Sequence, residues 1–195
     1  MAKVKVLVEG YAREEKGVEF ASSTTTLIQD SGKNIIVDPG MDRKQLLEAL
    51  EKEGLSVKDI NFVILTHTHP DHMLLVGIFE NAKVIDSSEI YSFEGKIQSH
   101  DGKVPGTGIE IIRTPGHDPS QCSVAADTDK GKVVIASDVF WWAGGMKQKT
   151  DRKSLMNLED PYMKDKAALM KSREKILEIA DYIIPGHGKM FKVGK

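Results

Sequence analysis

The chain has 195 residues, with 27 Lys and Arg against 29 Asp and Glu, six His, one Cys and a net charge of −2. A hydrophobic share of 40% with 17 Gly is that of a folded globular chain, so disorder as the main state is excluded. One Cys excludes an internal disulfide framework, and the charge balance lacks the basic footprint usual in nucleic-acid binders. No apolar run approaches the roughly 18 residues of a membrane span. The expectation is one domain over residues 1–195, cytoplasmic, with no membrane partner and nucleic acid not favoured.

The opening M-A-K-V-K-V-L-V-E-G reads as a strand with alternating Lys rather than a leader. Residues 4–8 and 24–29 have strand composition, and residues 10–23 between them read as an exposed hairpin or flap. The β-branched run 34–37 stops at the turn Asp38-Pro39-Gly40. A helix follows, with Leu46, Leu47 and Leu50 near helical spacing and Gly54 just past its end. Residues 61–65 form the continuous apolar run of a strand buried on both faces. A second helix is expected just after Pro70, running through Met73, Leu74, Val76 and Phe79. Strands are expected at 83–86, 108–113, 121–127, 132–137 and 182–184, with turns or a hairpin over 93–108. Residues 138–161 read largely as loop with room for a short helix. The clearest helix spans 163–180, with Ala167, Met170, Ile176, Leu177 and Ala180 facing inward. This order predicts a layered α/β protein with mixed sheets.

The run Thr66-His67-Thr68-His69-Pro70-Asp71-His72 sets three His and one Asp at a strand end. Residues i and i+2 of an extended segment share a face, so His67 and His69 can turn to one point. Asp71 and His72 fall where the chain reverses and can offer a second pair. Imidazole and carboxylate suit zinc, iron or manganese, and a single Cys rules out an all-thiolate site. A lone H-x-H is more often an exposed or hydrogen-bonded pair. Here three more strand ends deliver a candidate ligand: Thr114-Pro115-Gly116-His117, Ala136-Ser137-Asp138 and Pro185-Gly186-His187-Gly188. Of the six His, only His100 falls outside the set.

From Val37-Asp38-Pro39-Gly40 to His187 the chain resembles the metallo-β-lactamase fold superfamily, with five motifs in order: Asp38, the T-H-T-H-P-D-H block, His117, Asp138 and His187. The resemblance implies a four-layer αββα sandwich of two pseudo-equivalent halves, with metals at one edge of the sheets. It implies that His67, His69 and His117 bind one metal, that Asp71, His72 and His187 bind the other, and that Asp138 bridges them. Asp38 would orient the centre by hydrogen bonding rather than ligate. G-H-D-P-S and the tail E-D-P…S-R-E-K-I-L…P-G-H-G are similar to a small single-domain metallohydrolase branch. The best-known β-lactamase subclass carries Cys where this chain has Asp138, so antibiotic hydrolysis is not the default expectation.

Two divalent ions, zinc first with iron or manganese as alternatives, would lower the pKa of a bridging water to about 7. The hydroxide would attack an electrophilic carbonyl or phosphorus, with Asp138 holding the pair and Asp71 handling a proton. Hydroxyacyl-thioester hydrolases and lactonases of the superfamily usually carry an extra C-terminal helical region or insertions, and its RNA-processing members an additional domain or exosite arm; with His187 eight residues from the end, neither is expected after it. A small, partly apolar substrate with an ester, thioester or lactone bond is therefore expected. Trp141 and Trp142, just after Asp138, are the candidate pocket wall, unless one simply packs under the loop. Phosphodiester cleavage is the alternative, drawing on Lys147, Lys149, Arg152 and Lys153; oxidation of thiols or persulfides at a single iron is another. Cys122 is either a pocket neighbour or a small buried apolar residue. A homo-oligomer stays open.

Overall fold

The computed structural model describes residues 1–194. Seven strands form the first sheet in the order β1 (Lys3–Val8), β4 (Thr25–Asp30), β5 (Lys33–Val37), β6 (Phe62–Ile64), β7 (Lys83–Ile85), β8 (Glu89–Tyr91) and β9 (Ile97–Ser99). The second sheet orders β10 (Glu110–Arg113), β11 (Cys122–Thr128), β12 (Gly131–Ser137), β13 (Tyr182–Pro185) and β14 (Phe191–Lys192). β2 (Tyr11–Glu15) and β3 (Val18–Ser22) make a separate hairpin. Both sheets are mixed: β5, β6 and β7 pair in parallel, as do β12 and β13, and the other pairs are antiparallel.

Side-chain alternation builds the layers. Ile35, Val37 and Ile64 of the first sheet meet Val124, Val133, Ile135 and Ile184 of the second in a central apolar layer. The intervening Ile36 and Val63 point outward, against Leu46 and Leu50 of α1 (Arg43–Lys52). Ala125, Val134 and Ile183 point outward from the second sheet, against Leu169, Ile176 and Leu177 of α4 (Lys166–Ile179). Three apolar layers between four layers of structure give the αββα sandwich. Each fully buried aliphatic side chain contributes about 1.5–3 kcal/mol. No described helix is long and apolar enough to cross a membrane.

Three features depart from the sequence pattern. The helix after Pro70 is a single short turn, α2 (Pro70–Met73), followed by a 3-10 turn at Val76–Ile78. Its continuation is captured from outside: the Gly40 amide donates to His72 O and the Leu75 amide donates to Gly40 O. α4 buries Leu169, Ser172 and Arg173 beside Ile176 and Leu177, while Ala167 is exposed and Met170 only half-buried. Ser172 and Arg173 earn interior places because they bond loop carbonyls, with Ser172 Oγ donating to Pro115 O at 2.7 Å. β8 in the first sheet and β14 at the edge of the second form where no strand was expected. The short helix within 138–161 is α3 (Arg152–Met156), capped by the Asp151 carboxylate.

Candidate metal centre

β5, β6, β10, β12 and β13 all run toward one edge of the sandwich, and each ends in a candidate site residue. Asp38 follows β5, His67 follows β6, and Pro70 opens α2 so that Asp71 and His72 lie in its one turn. His117 and His187 sit in Pro-Gly turns after β10 and β13, and Asp138 follows β12. Packing demands the glycines of those turns. A Cβ on Gly116 would lie 2.3 Å from the Leu169 backbone, and one on Gly186 would lie 1.6 Å from Asp138 Oδ1. Asp38 and Ser137 hold left-handed backbone at φ 50° and 49°, an arrangement that costs non-glycine residues about 1–3 kcal/mol.

Asp38 ties these ends together. Its Oδ1 accepts from the Thr66 amide at 2.8 Å, and its Oδ2 accepts from Thr66 Oγ1 at 2.7 Å and from His72 Nδ1 at 2.8 Å. Ser137 Oγ, from the second sheet, donates to the same Oδ2 at 3.2 Å.

Two groups of side chains converge there. His67, His69, His117 and Asp138 offer atoms that all lie within 4.8 Å of one another, and so do Asp71, His72 and His187. In the first group His69 Nδ1 is 3.1 Å from both His67 Nε2 and His117 Nε2. One carboxylate faces both groups. Asp138 Oδ2 lies 3.4 Å from His117 Nε2, and Asp138 Oδ1 lies 3.4 Å from His72 Nε2. Asp71 Oδ2 lies 3.1 Å from His187 Nε2 and 3.6 Å from His72 Nε2.

The electrostatics follow from this crowding. Burial, and then neighbouring His72, hold His67 well below the ordinary imidazole range despite Asp138; burial and His117 lower His69. Burial alone would raise Asp138, but His72 and His187 overcome it and hold the carboxyl well below its usual range. Asp71 is likewise lowered against burial, by His187 and His72. His72 goes the other way: burial opposes its charge, but Asp138 and Asp38 raise it well above ordinary imidazole. His72 Nε2 and Asp138 Oδ1 are buried with no hydrogen-bond partner among the described residues. Five imidazoles and two carboxylates, with His72 Nε2 and Asp138 Oδ1 buried and unpartnered among them, form a donor set that fits divalent cations.

Sequence reasoning missed one member of this edge. Asp160 Oδ2 lies 2.8 Å from His117 Nδ1, and the carboxyl is buried. E-D-P was visible as a string, but nothing in it points to a His in a distant turn. The structure also separates the two tryptophans. Trp141 packs 6.0 Å from the His187 ring and 5.8 Å from Tyr162, and its buried indole N–H has no partner among the described residues. Trp142 belongs to the core instead, edge-on to Phe191 at 5.9 Å. Cys122 is fully buried in the central layer with its thiol pushed up by burial, the small apolar reading. His100 is structural: its Nε2 donates to Asp86 O and its Nδ1 accepts from the Gly102 amide. Lys147, Lys149, Arg152 and Lys153 are exposed, and Arg152 faces Glu174 at 3.9 Å.

A family model described as the metallo-beta-lactamase superfamily matches residues 18–91. A Xenopus laevis protein named metallo-beta-lactamase domain-containing protein 1 is 36% identical over 98% of this chain and 82% of its own length. The chain spans 65% of the mouse and 59% of the human protein of that name. A probable metallo-hydrolase of Methanocaldococcus jannaschii is 31% identical over 94% of this chain and 86% of its own length. Among solved structures, the dizinc quorum-quenching lactonase AidC superposes with a TM-score of 0.64 at 17% identity, covering 87% of this chain and 73% of that one.

Proposed function

The chain belongs to the metallo-beta-lactamase superfamily, and from that premise we propose that it is a binuclear, zinc-dependent hydrolase of a small ester, thioester or lactone. The observation that carries this reading is the division of Asp138, which turns one oxygen to each of two complete ligand groups. His67, His69 and His117 would hold one cation, Asp71, His72 and His187 the other, and Asp138 would bridge. When bound, the two cations supply a water activated at neutral pH and positive charge for a developing oxyanion.

The chain's own groups do the rest. Asp38 fixes His72 through Nδ1, leaving Nε2 free to ligate. Asp71 has the most open carboxylate of the centre, its side chain 20% exposed against 6% for Asp138. In this reading Asp71 would take a proton from the attacking water and return it to the leaving oxygen or sulfur. Trp141, packed against the His187 ring, would wall the substrate side of the centre there. The dizinc lactonase AidC supports the carbonyl class by likeness of fold alone. The exposed, partly paired basic cluster supports a phosphodiester less well.

Metal analysis of zinc-loaded protein should return two equivalents per chain. A panel of thioesters, lactones and aryl phosphodiesters should show turnover on the first two classes. A reproducible single iron, with oxygen uptake on thiol substrates, would overturn the reading.

A further inference from the structure

We propose that Asp160 is a positioning residue for the metal centre, locking the tautomer and orientation of His117, and that buried Arg173 holds the Asp160 loop against the Asp138 loop. The inference rests on the binuclear reading above. Asp160 Oδ2 lies 2.8 Å from His117 Nδ1, and its other oxygen accepts from the Tyr162 amide at 3.0 Å. With its proton on Nδ1, His117 presents an unprotonated Nε2 toward His69 and Asp138. The first sheet makes the same arrangement: His72 Nδ1 lies 2.8 Å from Asp38 Oδ2. Each ligand group thus contains one imidazole whose outer nitrogen is gripped by a buried carboxylate. Asp38 serves His72 as Asp160 serves His117.

Asp38 sits on a strand end, whereas Asp160 comes from a loop and needs a brace. Arg173, on α4, is 2% exposed. Its Nε donates to Val139 O at 3.0 Å, one residue after Asp138, and its Nη1 donates to Leu158 O at 2.7 Å, two residues before Asp160. One planar fork therefore spans the two loops, a geometry that a lysine ammonium cannot reproduce. Phe140 covers the guanidinium at 5.9 Å.

The test compares wild type with Asp160→Ala, Asp160→Asn and Arg173→Lys. Chelator competition gives the two zinc dissociation constants, and long-range ¹⁵N–¹H NMR of the histidine rings gives the His117 tautomer. Asp160→Ala should weaken one zinc constant by about 10–100-fold, leave the other unchanged and release His117 from its Nδ1–H form. Asp160→Asn keeps the volume and one acceptor oxygen, so it should show a smaller loss at the same constant even if the alanine variant does not fold. Arg173→Lys should weaken that same constant. Wild-type constants with a retained Nδ1–H in both Asp160 variants, or equal weakening of both zinc constants, would overturn the proposal. Fewer than two zinc ions in the wild type would instead defeat the binuclear reading, and the tautomer comparison in metal-free protein would still test Asp160.

Discussion

At the scale of single residues, Asp38 shows how much one buried carboxylate can decide. Its carboxylate accepts from the Thr66 amide, Thr66 Oγ1, His72 Nδ1 and Ser137 Oγ. Substitution by Ala would leave the Thr66 amide without its acceptor and His72 Nδ1 with only a 3.4 Å contact to Ser137 Oγ. Each buried donor left unpaired costs about 1–3 kcal/mol. Asp38→Ala should therefore lower the free energy of unfolding by on the order of 2–5 kcal/mol in urea titrations, with weaker metal retention. An unchanged midpoint would show that the network carries no stability. The residues proposed as ligands were legible because they lie at or just after the ends of apolar β-runs and belong to a short list of residue types. Asp160 was not, because its role depends on a loop meeting a turn 43 residues away, and no local pattern encodes that meeting.

At the scale of elements, the turn before His117 is fixed by close packing. Gly116 has φ +143°, and its amide oxygen accepts from the Lys164 and Asp165 amides just ahead of α4. A methyl group there would meet the Leu169 backbone, which cannot swing aside as a side chain can. Gly116→Ala should cost about 1–3 kcal/mol or more in thermal unfolding and displace His117 with its turn. A variant of unchanged stability and metal content would contradict the contact. Helix phase was the least legible property at this scale. In α4 the inward stripe includes Ser172 and Arg173, polar residues that apolar periodicity passes over, and their reason is a set of carbonyls from other segments. The second helix ended early for a related cause, since Gly40 competes for its backbone groups.

At the scale of the whole molecule, the αββα layering was readable because alternating β-branched residues serve two apolar layers at once, as Ile35 and Ile36 do. Those layers do not depend on the metal centre, which lies at the strand ends. The centre nevertheless joins the sheets: Asp38 comes from the first, and Ser137 and Asp138 from the second. Cations bound there should therefore stabilise the pairing of the two sheets without creating the fold. For one site filled at a thousand times its dissociation constant, the linkage contributes about 4 kcal/mol. Each kcal/mol moves the melting temperature of a chain this size by about 2–4 °C. Stripping metal with a chelator should thus lower the melting temperature in calorimetry by about 8–16 °C per tightly held ion, while far-UV circular dichroism at 25 °C stays native. Loss of the dichroism signal on chelation would mean that the centre nucleates the fold. No shift in melting temperature would mean that the seven side chains bind no cation tightly.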